Sequence, residues 1–134
     1  MMRVRLSALL GCVALSLLLT GCPGGSQATP EEKQMSSLAV YFGKFISRNK
    51  GQAPASEKQL KDFIAAQDDK ADLDKLFTSP RDKEPVVVRY GLKSTGATTV
   101  MAHEKTGVAG KRFVALATGQ VREVDEAEFN DLMK

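Results

Sequence analysis

Tryptophan is absent from this 134-residue sequence, histidine occurs once and cysteine only twice. One imidazole and two thiols exclude most catalytic metal cages, which need several such ligands converging on one ion. A large excess of one charge is missing too: the formal net charge is +3. Arg3 and Arg5 lie in a segment expected to be removed, and without them 17 basic residues face 16 acidic ones. A balance that close gives no electrostatic footprint for nucleic acid or for an anionic membrane face. Internal repeats and low-complexity tracts are lacking as well, apart from one short glycine-containing stretch. What remains is 43% hydrophobic and 26% charged, ordinary proportions for one globular domain.

The longest apolar run, Leu6 to Leu19, follows the short basic start Met1 to Arg5. Its roughly 14 residues would span about 21 Å as a helix, short of the ~20 residues a bilayer crossing needs. That length matches the apolar region of a secretory signal peptide. The run ends in Leu19-Thr20-Gly21-Cys22, which resembles the bacterial lipobox: a large aliphatic residue, two small ones and a cysteine. The resemblance implies cleavage after Gly21, so that residues 1–21 form the signal peptide. It also implies a diacylglyceryl group on the Cys22 sulfur and acylation of the new N-terminus. One acyl chain binds a membrane only marginally, whereas two or more hold a protein there. Cys12 would leave with the signal peptide and Cys22 would become a thioether, so no disulfide is expected in the mature chain. Pro23 follows Cys22 in place of the aspartate that retains many lipoproteins at the inner membrane, which favours an outer-membrane position facing the periplasm.

Residues 22–29 then read as a flexible tether, and residues 30–134 as a single α+β domain of about 105 residues, enough to bury one core. Thr29-Pro30-Glu31-Glu32 predicts a helix start, with a capping threonine, proline at the first helical position and a capping-box glutamate. Met35, Leu38, Ala39, Phe42, Phe45 and Ile46 follow at helical spacing and form one core-facing stripe; Asn49-Lys50-Gly51 supplies the stop. Ser56-Glu57-Lys58-Gln59 predicts a second capping box, with Leu60, Phe63 and Ile64 along one side of a shorter helix. Leu73, Leu76 and Phe77 predict a further helical turn, and Thr78 to Pro85 an irregular connection because of its two prolines. Period-two patterning then predicts strands over Val86–Leu92, Thr98–Glu104, Arg112–Ala117 and Gln120–Val124, with a tight reversal at Thr118-Gly119. Asp125 and Glu128 predict a third capping box, opening a short C-terminal helix with Phe129, Leu132 and Met133. Segregated helices and strands imply a long amphipathic helix packed on a small antiparallel sheet of about four strands.

This order, with particular residues, resembles a family. The passage from Leu38-Ala39-Val40-Tyr41-Phe42-Gly43 to Gly51-Gln52-Ala53-Pro54-Ala55 is similar to the helix-to-loop region of pseudopilins of the type II secretion class. Leu76-Phe77-Thr78-Ser79-Pro80-Arg81-Asp82 looks like the connection before the first strand of the same proteins. Ala102 to Lys105 and Gly110 to Val121 resemble the C-terminal hairpin of prepilin-like proteins of planctomycetes. The resemblance covers about residues 35 to 130 and implies a pseudopilin-like fold. The chain departs from prepilins in three respects: its hydrophobic segment is expected to be cleaved, it has no prepilin processing site, and Thr118 replaces the usual aspartate of the hairpin turn. Filament assembly is therefore not carried over.

His103 with Glu104 is the obvious candidate for acid–base chemistry, but adjacent strand residues point to opposite faces. A histidine satisfied by a backbone carbonyl is the expected alternative. Ser79 has no base visible nearby in sequence and is expected to shape the Pro80 turn. Gly107-Val108-Ala109-Gly110-Lys111 has the glycine–lysine ending of a phosphate loop, yet Lys105 and Arg112 stand where the pattern needs glycine and serine or threonine. Asp68, Asp69, Asp72 and Asp74 could face calcium, although their spacing lacks the glycine and distal glutamate of an EF-hand; a solvated acidic face is the plainer reading. The sequence thus implies no catalytic residues, no metal ligands and no cofactor, with Cys22 the one modified residue. The expected role is a non-catalytic lipoprotein whose domain contacts envelope proteins, in support of secretion or envelope assembly. The competing expectation is a periplasmic lipoprotein that binds a small ligand or calcium.

Overall fold

A computed structural model describes residues 27–134. The signal peptide expected at residues 1–21, the lipidation site Cys22 and most of the tether lie outside the described residues. The fold is α+β, with a four-stranded antiparallel sheet in the order β1-β2-β3-β4. Among the described residues, no helix is long and apolar enough to cross a membrane.

The first helix, α1 (Pro30–Arg48), starts where its capping residues demand. Thr29 Oγ1 accepts from the Glu32 amide at 3.2 Å, and the Glu32 carboxylate accepts from the Thr29 amide at 2.8 Å. Helix α1 ends at Asn49, and Lys50 and Gly51 turn left-handed at φ 55° and 83°, returning the Gly51 amide to the Ile46 carbonyl at 2.9 Å. Its stripe of Met35, Leu38, Ala39, Phe42 and Phe45 is buried. Helix α2 (Glu57–Gln67) adds Leu60 and Ile64 to that core, and Phe63 meets Phe45 edge to face at 5.2 Å. Its cap differs from the expected box: Ser56 accepts from the Gln59 amide, but Gln59 reaches one residue further back, to the Ala55 amide at 2.8 Å. Helix α3 (Leu73–Leu76) is a single turn capped by Asp72. Gln34 latches α1 to this turn: its side-chain amide donates to the carbonyls of Lys75, Leu76 and Thr78 at 2.7–3.0 Å.

The loop from Thr78 to Pro85 is more regular than its two prolines led us to expect. Thr78 and Pro85 form an antiparallel bridge. Proline lacks an amide proton, but the neighbouring amides carry the bonds: Ser79 donates to the Glu84 carbonyl at 2.9 Å and Val86 to the Phe77 carbonyl at 2.8 Å.

Strand β1 (Val87–Val88) is much shorter than the Val86–Leu92 expected. Gly91 adopts φ 66° and donates to the Pro54 carbonyl at 2.9 Å, which draws the chain off the sheet toward the α1–α2 connection. An exposed connection including Lys93, Ser94, Gly96, Ala97 and Thr98 leads to β2 (Val100–His103). Strands β3 (Lys111–Leu116) and β4 (Val121–Asp125) complete the meander. The reversal between them is a three-residue loop: Gly119 sits at φ 86° and donates to the Leu116 carbonyl, while the Leu116 amide donates to Gln120. Helix α4 (Glu126–Leu132) is capped by Asp125, which accepts from the Glu128 amide at 2.8 Å. Here too the box is incomplete, because the Glu128 carboxylate pairs with Arg122 instead of the cap amide.

Both sheet faces are covered. Val88, Met101, Ala102, Phe113 and Ala115 join the stripe of α1 in the larger apolar cluster. Val100, Val114, Leu116 and Val124 face the other way and form a separate cluster with Phe129 of α4. Strand β3 alternates cleanly between the two, whereas β2 does not: a bulge between Val100 and Ala102 lets the consecutive Met101 and Ala102 serve one face.

Candidate functional site

The densest polar constellation lies where the Thr78–Pro85 loop meets the ends of β2 and β3. Its centre is Glu104, one residue past β2, only 1% exposed. The peptide bonding Glu104 N to the Phe113 carbonyl at 3.0 Å extends the ladder and turns this carboxylate inward. Ser79 Oγ donates to Glu104 Oε1 at 2.8 Å; the Phe113 amide donates to Oε2 at 2.8 Å, and Arg81 Nη2 lies 3.1 Å from the same oxygen. A buried carboxylate needs such partners, because desolvation would otherwise drive it to its neutral form.

Arg81 reaches outward as well. It donates to Glu123 at 2.6 Å and to the Lys111 carbonyl at 3.0 Å, and its guanidinium covers the Phe113 ring at 4.5 Å. Burial opposes its charge, but Glu123 and Glu104 outweigh that and hold the group above its ordinary value. Asp82, next in sequence, holds the second loop. Its Oδ2 accepts from the amides of Gly107 (2.8 Å) and Thr106 (3.2 Å), and its Oδ1 from Glu84 (3.0 Å). Desolvation pushes the Asp82 carboxyl up, yet the amides of Gly107, Glu84 and Thr106 prevail and leave it below the usual range.

The loop with the phosphate-loop ending is therefore closed around a carboxylate of its own chain. Its tip, Val108-Ala109-Gly110-Lys111, is a two-residue turn with Ala109 and Gly110 at φ 54° and 75°. Gly107, at φ 73°, has no room for a side chain: a Cβ there would come within 2.2 Å of the Lys111 carbonyl oxygen.

His103 and Glu104 point to opposite sides, as strand alternation requires. His103 Nδ1 lies 2.8 Å from the Glu104 carbonyl oxygen, which fixes Nδ1 as the protonated nitrogen, since a carbonyl only accepts. Burial, together with Arg112 and Arg89, holds the imidazole below its ordinary value despite that bond. Ser79 is 1% exposed, accepts from the Arg81 amide at 3.2 Å and donates to Glu104, so it shapes its turn and also supports the buried carboxylate.

The acidic stretch is dispersed. Asp68 accepts from Tyr41 Oη at 3.0 Å and from the Lys70 amide at 3.1 Å, Asp72 caps α3 and pairs with Lys75 at 3.0 Å, and Asp69 and Asp74 are exposed. Among the described residues, no three His, Cys, Asp or Glu side chains gather where a metal ion could be held. A shallow groove of about 690 Å³ runs between the start of α1, α3 and the Thr78–Pro85 loop, floored by Leu76 and Pro80 and edged by Gln34, Lys75 and Lys83.

Sequence reasoning singled out Glu104 and Ser79 separately but missed their union, and missed Arg81, Asp82 and Glu123 altogether. One signal was available: Glu104 continues an apolar strand at an inward register, where a charge demands a partner. Comparison of the chain with family models, with characterised proteins and with solved structures yields no match.

Proposed function

We propose that this chain is a membrane-anchored lipoprotein, held by lipid on Cys22, whose domain works by contact with other envelope proteins and not by catalysis. The observation that carries the reading is Leu19-Thr20-Gly21-Cys22 at the end of a short apolar run, eight residues before the first residue of α1. A chain of that length extends at most about 27 Å, so the folded part stays against the lipid surface. The engagement of Ser79, Glu104, Arg81 and Asp82 with one another and with backbone amides favours a structural use of these groups. The near-neutral mature charge argues against nucleic acid as a partner. Within the α+β class we read the domain as pseudopilin-like, from the residues at 38–55, 76–82 and 102–121, and place its work in secretion or envelope assembly on the periplasmic side of the outer membrane.

The test is to compare the full-length protein with Cys22→Ser in cells. The parent chain is expected in the membrane fraction, with an acylated N-terminal cysteine by mass spectrometry, and the variant in the soluble fraction. An unmodified sulfhydryl, or a membrane-bound variant, overturns the anchor. Calorimetry with calcium addresses the competing ligand-binding role: micromolar binding would replace the contact role.

A further inference from the structure

Helix α4 closes the smaller apolar cluster almost alone. Phe129 is its one buried side chain in that cluster, with Leu132 and Met133 packed partly against it. The cluster shares no residue with the larger one under α1, so α4 can leave without opening the main core. The Phe129 ring is gripped from two sides. The buried His103 ring meets it edge to face at 4.8 Å, and the Arg112 guanidinium lies 4.1 Å from its centroid. Arg112 is itself held by Glu126 of α4 at 2.5 Å and by the Lys105 carbonyl at 3.1 Å. Arg122 of β4 adds an ion pair to Glu128 of α4.

We propose that His103 is an acid-sensitive latch: a second proton on its ring releases α4 from the sheet and bares Val100, Val114, Leu116 and Val124. The charges around the ring explain the direction. Arg89, just past β1, and Arg112, on β3, both oppose an imidazolium. The carboxylate of Glu104, the next residue in the chain, is committed to Ser79, Arg81 and Phe113 on the far side. Glu126 on α4 is committed to Arg112. With Nδ1–H already given to a carbonyl, the added proton must go to Nε2. An unfolded histidine titrates near 6.5, whereas burial and the two arginines hold the docked ring lower. The undocked state therefore takes up protons first. Docking is fully stabilised above 6.5 and weakens as pH falls through the lower midpoint.

The experiment follows the methionine methyl groups of the full-length protein in detergent by NMR from about pH 7.5 to about pH 5. Met133 reports on α4, while Met35 and Met101 report on the larger cluster. The expected result is that Met133 shifts to its unpacked position with the same midpoint as the His103 ring, below 6.5, while Met35 and Met101 stay in place. His103→Gln should keep Met133 packed across the range. A His103 titration that leaves Met133 unmoved, or undocking of the Gln variant at the parent's midpoint, overturns the latch. Should the variant not fold, the coincidence of the two midpoints in the parent chain decides by itself.

Discussion

Glu104 is the residue whose removal reads most directly on the physics of this fold. It is a carboxylate with three donors and almost no contact with water. Glu104→Gln keeps the shape but removes the charge that Arg81 was placed to meet, and leaves one amide proton group facing donors. Breaking a buried pair in this way costs about 3 kcal/mol. Urea denaturation should show that loss as a lower midpoint with an unchanged slope; a change within 0.5 kcal/mol, the ordinary effect of a surface substitution, would mean that the pair is idle. Gly107 makes the second residue-scale point. Gly107→Ala forces a left-handed backbone and a Cβ into the Lys111 carbonyl, so the loop held by Asp82 must shift, at a cost of about 2 kcal/mol in the same denaturation. The inward register of Glu104 hinted at a partner, but the identity of the partners was not legible in the sequence. Ser79 and Arg81 each lie more than twenty positions before Glu104, and only the folded meander brings loop and strand end together.

At the scale of elements, α1 was written plainly. Its cap, apolar stripe and left-handed stop are all local signals, and each acts within a few residues of itself. Phe42, fully buried on the stripe, belongs to the same apolar cluster as Met101, Phe113 and Ala115 of the sheet. Phe42→Ala should lower stability by about 4 kcal/mol, a large part of a typical domain's total, and thermal unfolding followed by circular dichroism should show it as a much lower melting temperature. The strands were legible as a meander but not in their extents. Strand β1 stops at Val88 because Gly91 bonds to Pro54, a long-range contact that no period-two pattern contains. The second and third caps fared similarly: the serine and aspartate cap as read, while Gln59 and Glu128 found better partners in Ala55 and Arg122. Local chemistry fixed which end of each helix was which, and tertiary neighbours chose among the remaining bonds.

For the whole molecule, the two apolar clusters on opposite faces of one thin sheet set what can be separated from what. Every buried hydrophobic residue of both lies between Met35 and Phe129. A chain beginning at Gln27 should therefore melt at the same temperature as the full-length protein; a lower melting temperature would show that earlier residues contribute to the core. The expected anchor rests on four consecutive residues, Leu19-Thr20-Gly21-Cys22, which lie outside the described residues.

The connection between Val88 and Val100 offers a practical handle. Both ends of the domain are committed, one to the capped start of α1 and the other to the Phe129 plug. Tyr90 and Leu92 at the start of this connection pack against the larger cluster, whereas Gly96 and Ala97 are exposed and belong to neither. An epitope or fluorophore spliced between them would ride on the surface at little energetic cost, leaving both extremities in their native setting for imaging the protein in living cells.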